Sequence, residues 1–208
     1  MNVIRRYRPD DREALYAICV RTGDAGRDAT SLYRDPRILP DIFTGPYLLL
    51  EPELAFVLQD PEDRPSGYIV GTADTPRFVA AYRRDWLPQV AGRYPLPSAD
   101  GSGEGRDAER IHELHHPEWM LRDDLTAYPA HLHIALAPQA QGKGAGRALM
   151  DTYLRALCAT GVPRVHLSVS AANTGARAFY DRLGFHQIAR PTPARVLLGR
   201  RTHPLSPR

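Results

Sequence analysis

A glycine-rich segment at residues 141–146 (Gln-Gly-Lys-Gly-Ala-Gly) separates an apolar stretch from a helical pattern. Glycine lets backbone N–H groups approach a ligand closely, and the first turn of a helix attracts anions, so a pyrophosphate is the expected ligand. A triphosphate-binding Walker A loop needs Ser or Thr after the lysine, where this chain has Gly144. A dinucleotide-binding fingerprint needs glycine or alanine where Arg147 or Leu149 stands, so its spacing fails in both registers.

A histidine cluster at residues 112–116 (His-Glu-Leu-His-His) matches the His-Glu-x-x-His pattern of zinc enzymes. Pro117 disfavours helical geometry at the last of these histidines. No glutamate follows Glu118, so the usual distant glutamate ligand is missing, and Trp119 stands where the longer zinc motif needs glycine. We therefore predict no metal site and expect these histidines in a surface loop.

Hydrophobic periodicity predicts the elements that position these residues. Strands are predicted at 3–7, 54–59, 67–73, 131–137, 164–169, 185–188 and 195–199. Helices are predicted at 9–20, 37–43 (broken at Pro40), 75–94, 144–160 and 173–183. This order predicts a single α/β domain over 1–208, with a mixed sheet and helices on both faces. We expect residues 95–128 to form a surface insertion and 202–208 a frayed tail.

Composition places few further limits on function. The chain has 208 residues, of which 43% are hydrophobic and 25% charged, as in an ordinary globular domain. No apolar run is long enough to span a bilayer, and no signal core follows the N-terminus, so we expect a cytoplasmic protein without a membrane partner. The net charge is +3, and no acidic residue follows Asp181. Such a basic stretch suits a phosphate-bearing ligand. We do not expect nucleic acid as a partner, and we expect a monomer or a homodimer.

Two blocks of sequence together resemble the GNAT family of acetyltransferases. The first is the pattern Gln-x-x-Gly-x-Gly, formed by Gln141, Gly144 and Gly146. The second lies at residues 170–185, where an asparagine begins a helix that ends in Phe-Tyr-Asp-Arg-Leu-Gly-Phe. The resemblance in these blocks covers 131–188, and the order of elements extends it to the whole chain. It implies a GNAT (acyl-CoA N-acyltransferase) fold with a mostly antiparallel central sheet, and acetyl-CoA as the co-substrate for transfer to an amine.

The resemblance also implies roles for individual residues. The glycine loop and the residue after it would hold the pyrophosphate, and a backbone N–H of the preceding strand would hold the thioester carbonyl. Asn173 would contact the pantetheine arm or order the loop beside it, although a plain helix N-cap is the alternative. Tyr180 would protonate the coenzyme A thiolate, although a core aromatic is the alternative. The implied cofactor-binding residues are Ile134, Leu136, Gln141, Gly142, Lys143, Gly144, Ala145, Gly146, Arg147, Asn173 and Tyr180.

The attacking amine must also lose a proton, and the family usually provides a Glu, Asp or His for this step. The candidates here are His133, His131, Glu51 and Asp74. The two histidines share one face of a predicted strand, and His133 is nearer its centre, with an ordinary pKa suited to neutral pH. Asp74 could instead bind the substrate amine, and Glu51 could serve either purpose. All four alternatives stay open from the sequence.

The front half of the chain is similar to the acetyltransferase-like C-terminal domain of eukaryotic O-GlcNAcase. The residues that carry this likeness are at 45–60, 67–74 and 86–88. That domain is regarded as a pseudo-acetyltransferase with a degraded glycine loop, whereas the loop is intact here. Two functions are therefore expected: an acetyl-CoA-dependent N-acetyltransferase, or a non-catalytic module that binds acetyl-CoA or recognises a protein.

Overall fold

The computed structural model describes residues 2–96 and 105–206. Its strands are β1 (Val3–Arg6), β2 (Phe56–Gln59), β3 (Pro65–Thr72), β4 (Ala130–Leu136), β5 (Arg164–Ser170), β6 (His186–Thr192) and β7 (Arg195–Arg201). They form one sheet with the order β1-β2-β3-β4-β5-β7-β6. Every neighbouring pair is antiparallel except β4 and β5, which run parallel. The predicted mixed, mostly antiparallel α/β fold is confirmed.

Helices cover both faces of this sheet. They are α1 (Arg12–Arg21), α2 (Ile38–Phe43), α3 (Gly45–Leu50), α4 (Thr75–Ala81), α5 (Leu87–Val90), α6 (Arg106–His115), α7 (Ala145–Ala159) and α8 (Thr174–Arg182). A π-helical turn at Tyr82–Trp86 joins α4 to α5. In residues 2–96 and 105–206, no helix combines the length and apolar character needed to cross a membrane.

Alternation along the strands creates two separate cores. Val57, Tyr68 and Val70 point to the face covered by α1 to α6, which we call the front layer. Ile69 and Leu132 point to the face covered by α7 and α8, which we call the back layer. The sheet thus lies between two hydrophobic layers, and any side chain on a strand belongs to one layer only.

The structure differs from the predicted helices in the front layer. Helix α3 was not predicted, because its sequence Gly-Pro-Tyr-Leu-Leu-Leu has no polar face from which a helical period can be identified. Helix α2 is continuous, contrary to the predicted break at Pro40. The proline lies in the first turn, where the missing N–H costs no helical hydrogen bond.

The expectation of a surface insertion at 95–128 is wrong for much of the segment. Residues 97–104 lie outside the described part of the chain, but α6 packs against α2, and the Leu114 side chain is fully buried in the front core. Met120, in a 3-10 turn after α6, is buried in the same core. The segment is therefore a structural part of the front layer.

The expectation of a frayed tail at 202–208 is wrong for its described part, 202–206. Thr202 is buried, and its backbone N–H donates to Pro163 O at 3.2 Å. Leu205 packs against the back core, and its N–H donates to Asp151 Oδ1 on α7 at 2.7 Å. The last described residues thus lie along α7.

Candidate active site

An open strand edge runs along the second half of β4. Strands β4 and β5 pair only at Ala130 with Val165 and at His131 with His166, so the two strands separate beyond that point. Ala137 donates its N–H to Ser66 O on the other side, at 2.9 Å. Because N–H directions alternate along a strand, the N–H groups of residues 134 and 136 point to the separated side. They are available to a ligand that enters between the strands.

The glycine loop lies directly after this open edge. Gly142 and Gly144 have φ values of +75° and +80°, which side-chain-bearing residues rarely adopt. Among the described residues, and apart from its chain neighbours, no atom lies within 4 Å of a Cβ built on either glycine. Gly144 is the N-cap of α7, so its N–H and those of the next three residues have no helical acceptor. The loop thus offers free donors and open space for an anion.

Side chains of the loop hold it against its surroundings. The Gln141 side chain donates from Nε2 to Leu136 O at 2.9 Å, and Lys143 Nζ donates to Gln139 O at 3.0 Å. The guanidinium of Arg147 donates to Ser206 O in the C-terminal segment. Gln141 therefore fixes the loop to the end of β4, while Lys143 and Arg147 place two positive charges beside the free N–H groups.

The third glycine of the motif has a packing role. A Cβ built on Gly146 would lie 3.2 Å from Cζ of Phe179 and 3.5 Å from Leu136 Cδ1. Its backbone is in the ordinary helical range, unlike that of the two glycines before it. Gly146 thus allows α8 and β4 to pack closely against the start of α7, which is a role that the motif alone did not reveal.

Tyr180 lies on α8 in the back layer, and Asn173 immediately precedes this helix. The Asn173 side chain accepts from Ala176 N at 3.0 Å, so it is an N-cap, and a Cβ built on Gly26 would lie 3.6 Å from its Nδ2. Tyr180 is buried between Phe179 and Phe185, and this burial raises the pKa of its phenol. A phenol in this state keeps its proton at neutral pH, as an acid must before it acts.

The two strand histidines are joined on the front face by one tyrosine. The Tyr47 hydroxyl lies 2.7 Å from His131 Nε2 and 3.0 Å from His133 Nε2. His131 is buried, whereas His133 is partly exposed. Burial lowers the pKa of His131 well below its ordinary value and that of His133 to about 4, and nearby His166 adds to both shifts. Both imidazoles are therefore neutral at pH 7.

The two candidate carboxylates lie at the other end of β3. Glu51 accepts from Thr72 Oγ1 at 2.9 Å and from Arg77 Nη2 at 2.7 Å. Asp74 caps α4 by accepting from the Arg77 backbone N–H at 3.0 Å. Thr72 pairs with His131, three residues or about 10 Å along β4 from residue 134, so neither carboxylate lies beside the open edge.

Burial raises the pKa of Glu51, and its Oε2 has no hydrogen-bond partner among the described residues. Of the four proposed bases, only His133 lies in the open half of β4, while His131 lies at the last residue of β4 that pairs with β5.

The cluster at 112–116 is helical up to His115, contrary to the expected surface loop. His116 follows the helix, and its ring stacks on that of His112 at 4.2 Å. Glu113 points elsewhere, pairing with Arg195 at 2.9 Å and with Arg110. Across residues 2–96 and 105–206, no group of three or more His, Cys, Asp or Glu side chains is arranged to hold a metal ion.

Sequence patterns did not identify several side chains that lie around His131 and His133. Tyr47 is hidden in an apolar run, and Thr75 is one of many threonines without a motif. Phe43 contacts the His133 ring at a centroid distance of 5.5 Å, and Trp119 contacts Phe43 at 6.4 Å. Only the folded chain brings these side chains together, because they come from α3, α4, α2 and the segment after α6.

The family model described as the Acetyltransferase (GNAT) family matches residues 28–185. The chain belongs to this family. The matched region contains the open edge of β4, the glycine loop and α8, so the geometry described above lies in the part that defines the family.

Individual relatives agree with this assignment. The crystal structure of SsHAT is 58% identical with a TM-score of 0.92, and the alignment covers 97% of this chain and 98% of that one. Protein O-GlcNAcase of Rattus norvegicus is 28% identical over 189 residues, which are 90% of this chain but 20% of that protein. The chain thus spans about a fifth of the length of that relative. Mycothiol acetyltransferase of Beutenbergia cavernae is 48% identical over 56 residues, which are 27% of this chain and 19% of that protein.

Proposed function

We propose that this chain transfers the acetyl group of acetyl-CoA to an amine, with the donor held on the open edge of β4 and on the glycine loop. The observation that carries the proposal is the presence of two sets of free backbone donors in one segment. One set is at residues 134 and 136 and the other is in the first turn of α7, where the preceding glycines leave open space. A thioester carbonyl and a pyrophosphate are the groups that such donors would bind.

The charges near the loop support an anionic donor. Lys143 is the only lysine of the chain, and its side chain is exposed beside the free N–H groups. Arg147 adds a second positive charge in the first turn of the helix. Two cations and a helix N-terminus favour phosphate at the same place.

The proposed reaction forms a C–N bond and breaks a C–S bond. A neutral amine attacks the thioester carbonyl carbon, and the backbone N–H groups of β4 stabilise the negative charge that develops on the carbonyl oxygen. The amine proton passes to His133, the electron pair of the broken bond stays on sulfur, and Tyr180 donates its proton to that sulfur. Once the proton on His133 has returned to the Tyr180 phenolate by way of solvent, the net products are an acetamide and free coenzyme A.

The donor site is tested by titration calorimetry with acetyl-CoA, for which we expect micromolar affinity. Lys143→Glu should weaken binding about tenfold, because it replaces an attraction with a repulsion at the pyrophosphate. Arg84→Glu is the matched control, since it makes the same change of charge on an exposed residue in the front layer. Absence of binding, or an equal loss in both variants, would contradict the proposed donor site.

A second measurement uses the unique lysine directly. An amine-reactive reagent should modify Lys143, and saturating acetyl-CoA should slow that modification, as read by mass spectrometry of the peptide. The N-terminal amine provides the internal control. If acetyl-CoA binds but protects neither amine from modification, the donor must bind elsewhere.

Catalysis is tested separately from binding. Release of the coenzyme A thiol should depend on an added amine, drawn from a panel of small amines and lysine-containing peptides. Binding without turnover across the panel would instead support a non-catalytic acetyl-CoA-binding module, which is the second function that the sequence left open.

A further inference from the structure

A buried chain of hydrogen bonds ends at His133 on the front face. It begins at Pro129 O, which the hydroxyl of Thr75 contacts at 2.8 Å. The same hydroxyl lies 2.8 Å from His131 Nδ1. From the other nitrogen of that ring, Tyr47 continues the chain to His133. None of these contacts belongs to the donor site described above.

The direction of every hydrogen bond in this chain follows from its first member. We take the Thr75 hydroxyl to donate its single proton to Pro129 O, which can only accept and which also accepts the Thr75 backbone N–H at 2.8 Å. The Thr75 oxygen must then accept from Nδ1–H of His131. Since burial keeps His131 neutral, its Nε2 carries a lone pair and accepts from the Tyr47 hydroxyl.

The last bond is fixed by the same reasoning. The only proton of the Tyr47 hydroxyl is donated to Nε2 of His131, so the Tyr47 oxygen must accept from Nε2–H of His133. His133 is also neutral, which leaves the lone pair on Nδ1. No described residue hydrogen-bonds to this Nδ1, and the side chain is partly exposed.

We infer that Tyr47, His131 and Thr75 are positioning residues that hold His133 in a single tautomer. That tautomer carries its proton on Nε2 and offers Nδ1 as the proton acceptor. The inference rests on the proposed role of His133 as the general base. It explains how the tautomer and orientation of a neutral imidazole would be fixed without a carboxylate partner. A proton taken up on Nδ1 would strengthen the bond from Nε2–H to Tyr47, because the donor then carries a positive charge.

Packing around the chain keeps its members in place. The rings of Tyr47 and Phe78 stack at 4.4 Å with an interplanar angle of 12°, and Phe78 meets the edge of His131 at 5.5 Å. The charged and titratable groups that influence His133 are His166 on β5 and Arg195 on β7, and both oppose its protonation. These neighbours keep the base neutral, while the chain of hydrogen bonds determines which nitrogen is free.

Nitrogen-15 NMR of histidine-labelled full-length protein at pH 7 tests the assignment without any substrate. Two-bond correlations distinguish the tautomers of neutral histidines, and the spectra of His131→Gln and His133→Gln assign the two signals among the eight histidines. We expect a proton on Nδ1 of His131 and on Nε2 of His133. The opposite tautomer at either residue would overturn the inference.

Variants then test which residues set the tautomer. Tyr47→Phe should give a mixture of tautomers at His133, whereas Tyr68→Phe should not. Tyr68 is a matched control, because its hydroxyl is buried in the same core and contacts Thr44 Oγ1 at 2.8 Å rather than a strand histidine. Thr75→Val should also give a mixture of tautomers at His133, whereas Thr75→Ser, which keeps the hydroxyl, should retain the single tautomer. An unchanged His133 signal in both Tyr47→Phe and Thr75→Val would overturn the inference.

Kinetics separate this inference from the proposed function. Loss of the correct tautomer should lower kcat of Tyr47→Phe about tenfold to a hundredfold with little change in acetyl-CoA affinity. If wild-type protein shows no turnover, the proposed function fails, yet the NMR spectra still decide the tautomer. If turnover is present and Tyr47→Phe scrambles the tautomer without lowering kcat, the positioning role is wrong although the transferase activity stands.

Discussion

The two layers of the sheet offer their functional groups in different ways. The back layer presents backbone N–H groups from one continuous segment, which runs from β4 through the glycine loop into α7. The front layer presents side chains of Tyr47, Thr75, His131 and His133, which come from three separate elements. A site built on backbone donors depends on conformation and open space, whereas a site built on buried side chains depends on packing and on the direction of each hydrogen bond.

One point of close approach joins α7 to the sheet backbone. Tyr153 of α7, in the back core, donates from its hydroxyl to His131 O at 2.9 Å. Gly71 on β3 makes room for it, since a Cβ there would lie 2.1 Å from His131 O and 2.2 Å from the Tyr153 hydroxyl. The packing of α7 on the sheet therefore depends on the absence of a side chain at Gly71.

Gly71→Ala should therefore have the largest effect on stability. A methyl group at 2.1 Å from a backbone oxygen forces β3 and β4 apart, at a cost of about 3 kcal/mol in the free energy of unfolding. Urea denaturation measures this cost. Gly92→Ala is the control, because no atom of the residues that the structure describes, beyond the two chain neighbours, lies within 4 Å of a Cβ at that position. Equal stability of the two variants would mean that the sheet is not tightly joined at Gly71.

The second prediction separates the layers by function. His133→Gln keeps an N–H donor for Tyr47 but lacks the basic Nδ1, so kcat should fall about a hundredfold, or roughly 2.7 kcal/mol in activation free energy. Acetyl-CoA affinity should stay near that of the wild type, because the donor is held by the back layer. Steady-state kinetics and calorimetry measure the two quantities. A loss of affinity with unchanged kcat would reverse the roles assigned to the layers.

How much the sequence could predict also differs between the layers. The glycine loop and α8 are predicted because their signals are local: Gln141, Gly144 and Asn173 lie within a few residues of the elements they define. Tyr47 and Thr75 could not be predicted, because their contacts with the strand histidines span 84 and 56 residues. Gly146 shows a further limit on prediction. The sequence alone cannot distinguish a glycine that packs against Phe179 from a glycine that contacts a ligand.

Acid should destabilise the protein partly through the front layer. The folded-state pKa values of His131, His133 and His166 are all lowered, that of His133 to about 4. An unfolded histidine binds a proton below about pH 6.5, so between pH 6.5 and 4 unfolding takes up protons and the free energy of unfolding falls as the pH falls. The contribution of His133 should be about 2 kcal/mol over that window.

Urea denaturation at pH 7, 5.5 and 4.5 measures this pH dependence, and His133→Gln provides the comparison. Other groups also titrate in this range, so the relevant quantity is the difference between the wild type and the variant. The variant should lose less stability than the wild type on acidification. An identical loss would show that His133 is as easily protonated in the folded protein as in the unfolded chain.

The smallest expected effect concerns Asp74, and it tests whether this carboxylate is a helix cap or a base. Asp74 accepts from the Arg77 N–H at 3.0 Å, so Asp74→Ala should cost about 1 kcal/mol of stability through loss of the N-cap of α4. Asp74→Asn should recover most of it, since asparagine caps equally well without a charge. Turnover of the asparagine variant then decides between cap and base, because only a base needs the carboxylate. A fall in kcat comparable with that of His133→Gln would move the proton-accepting group about 10 Å along the sheet and contradict the assignment to the strand histidines.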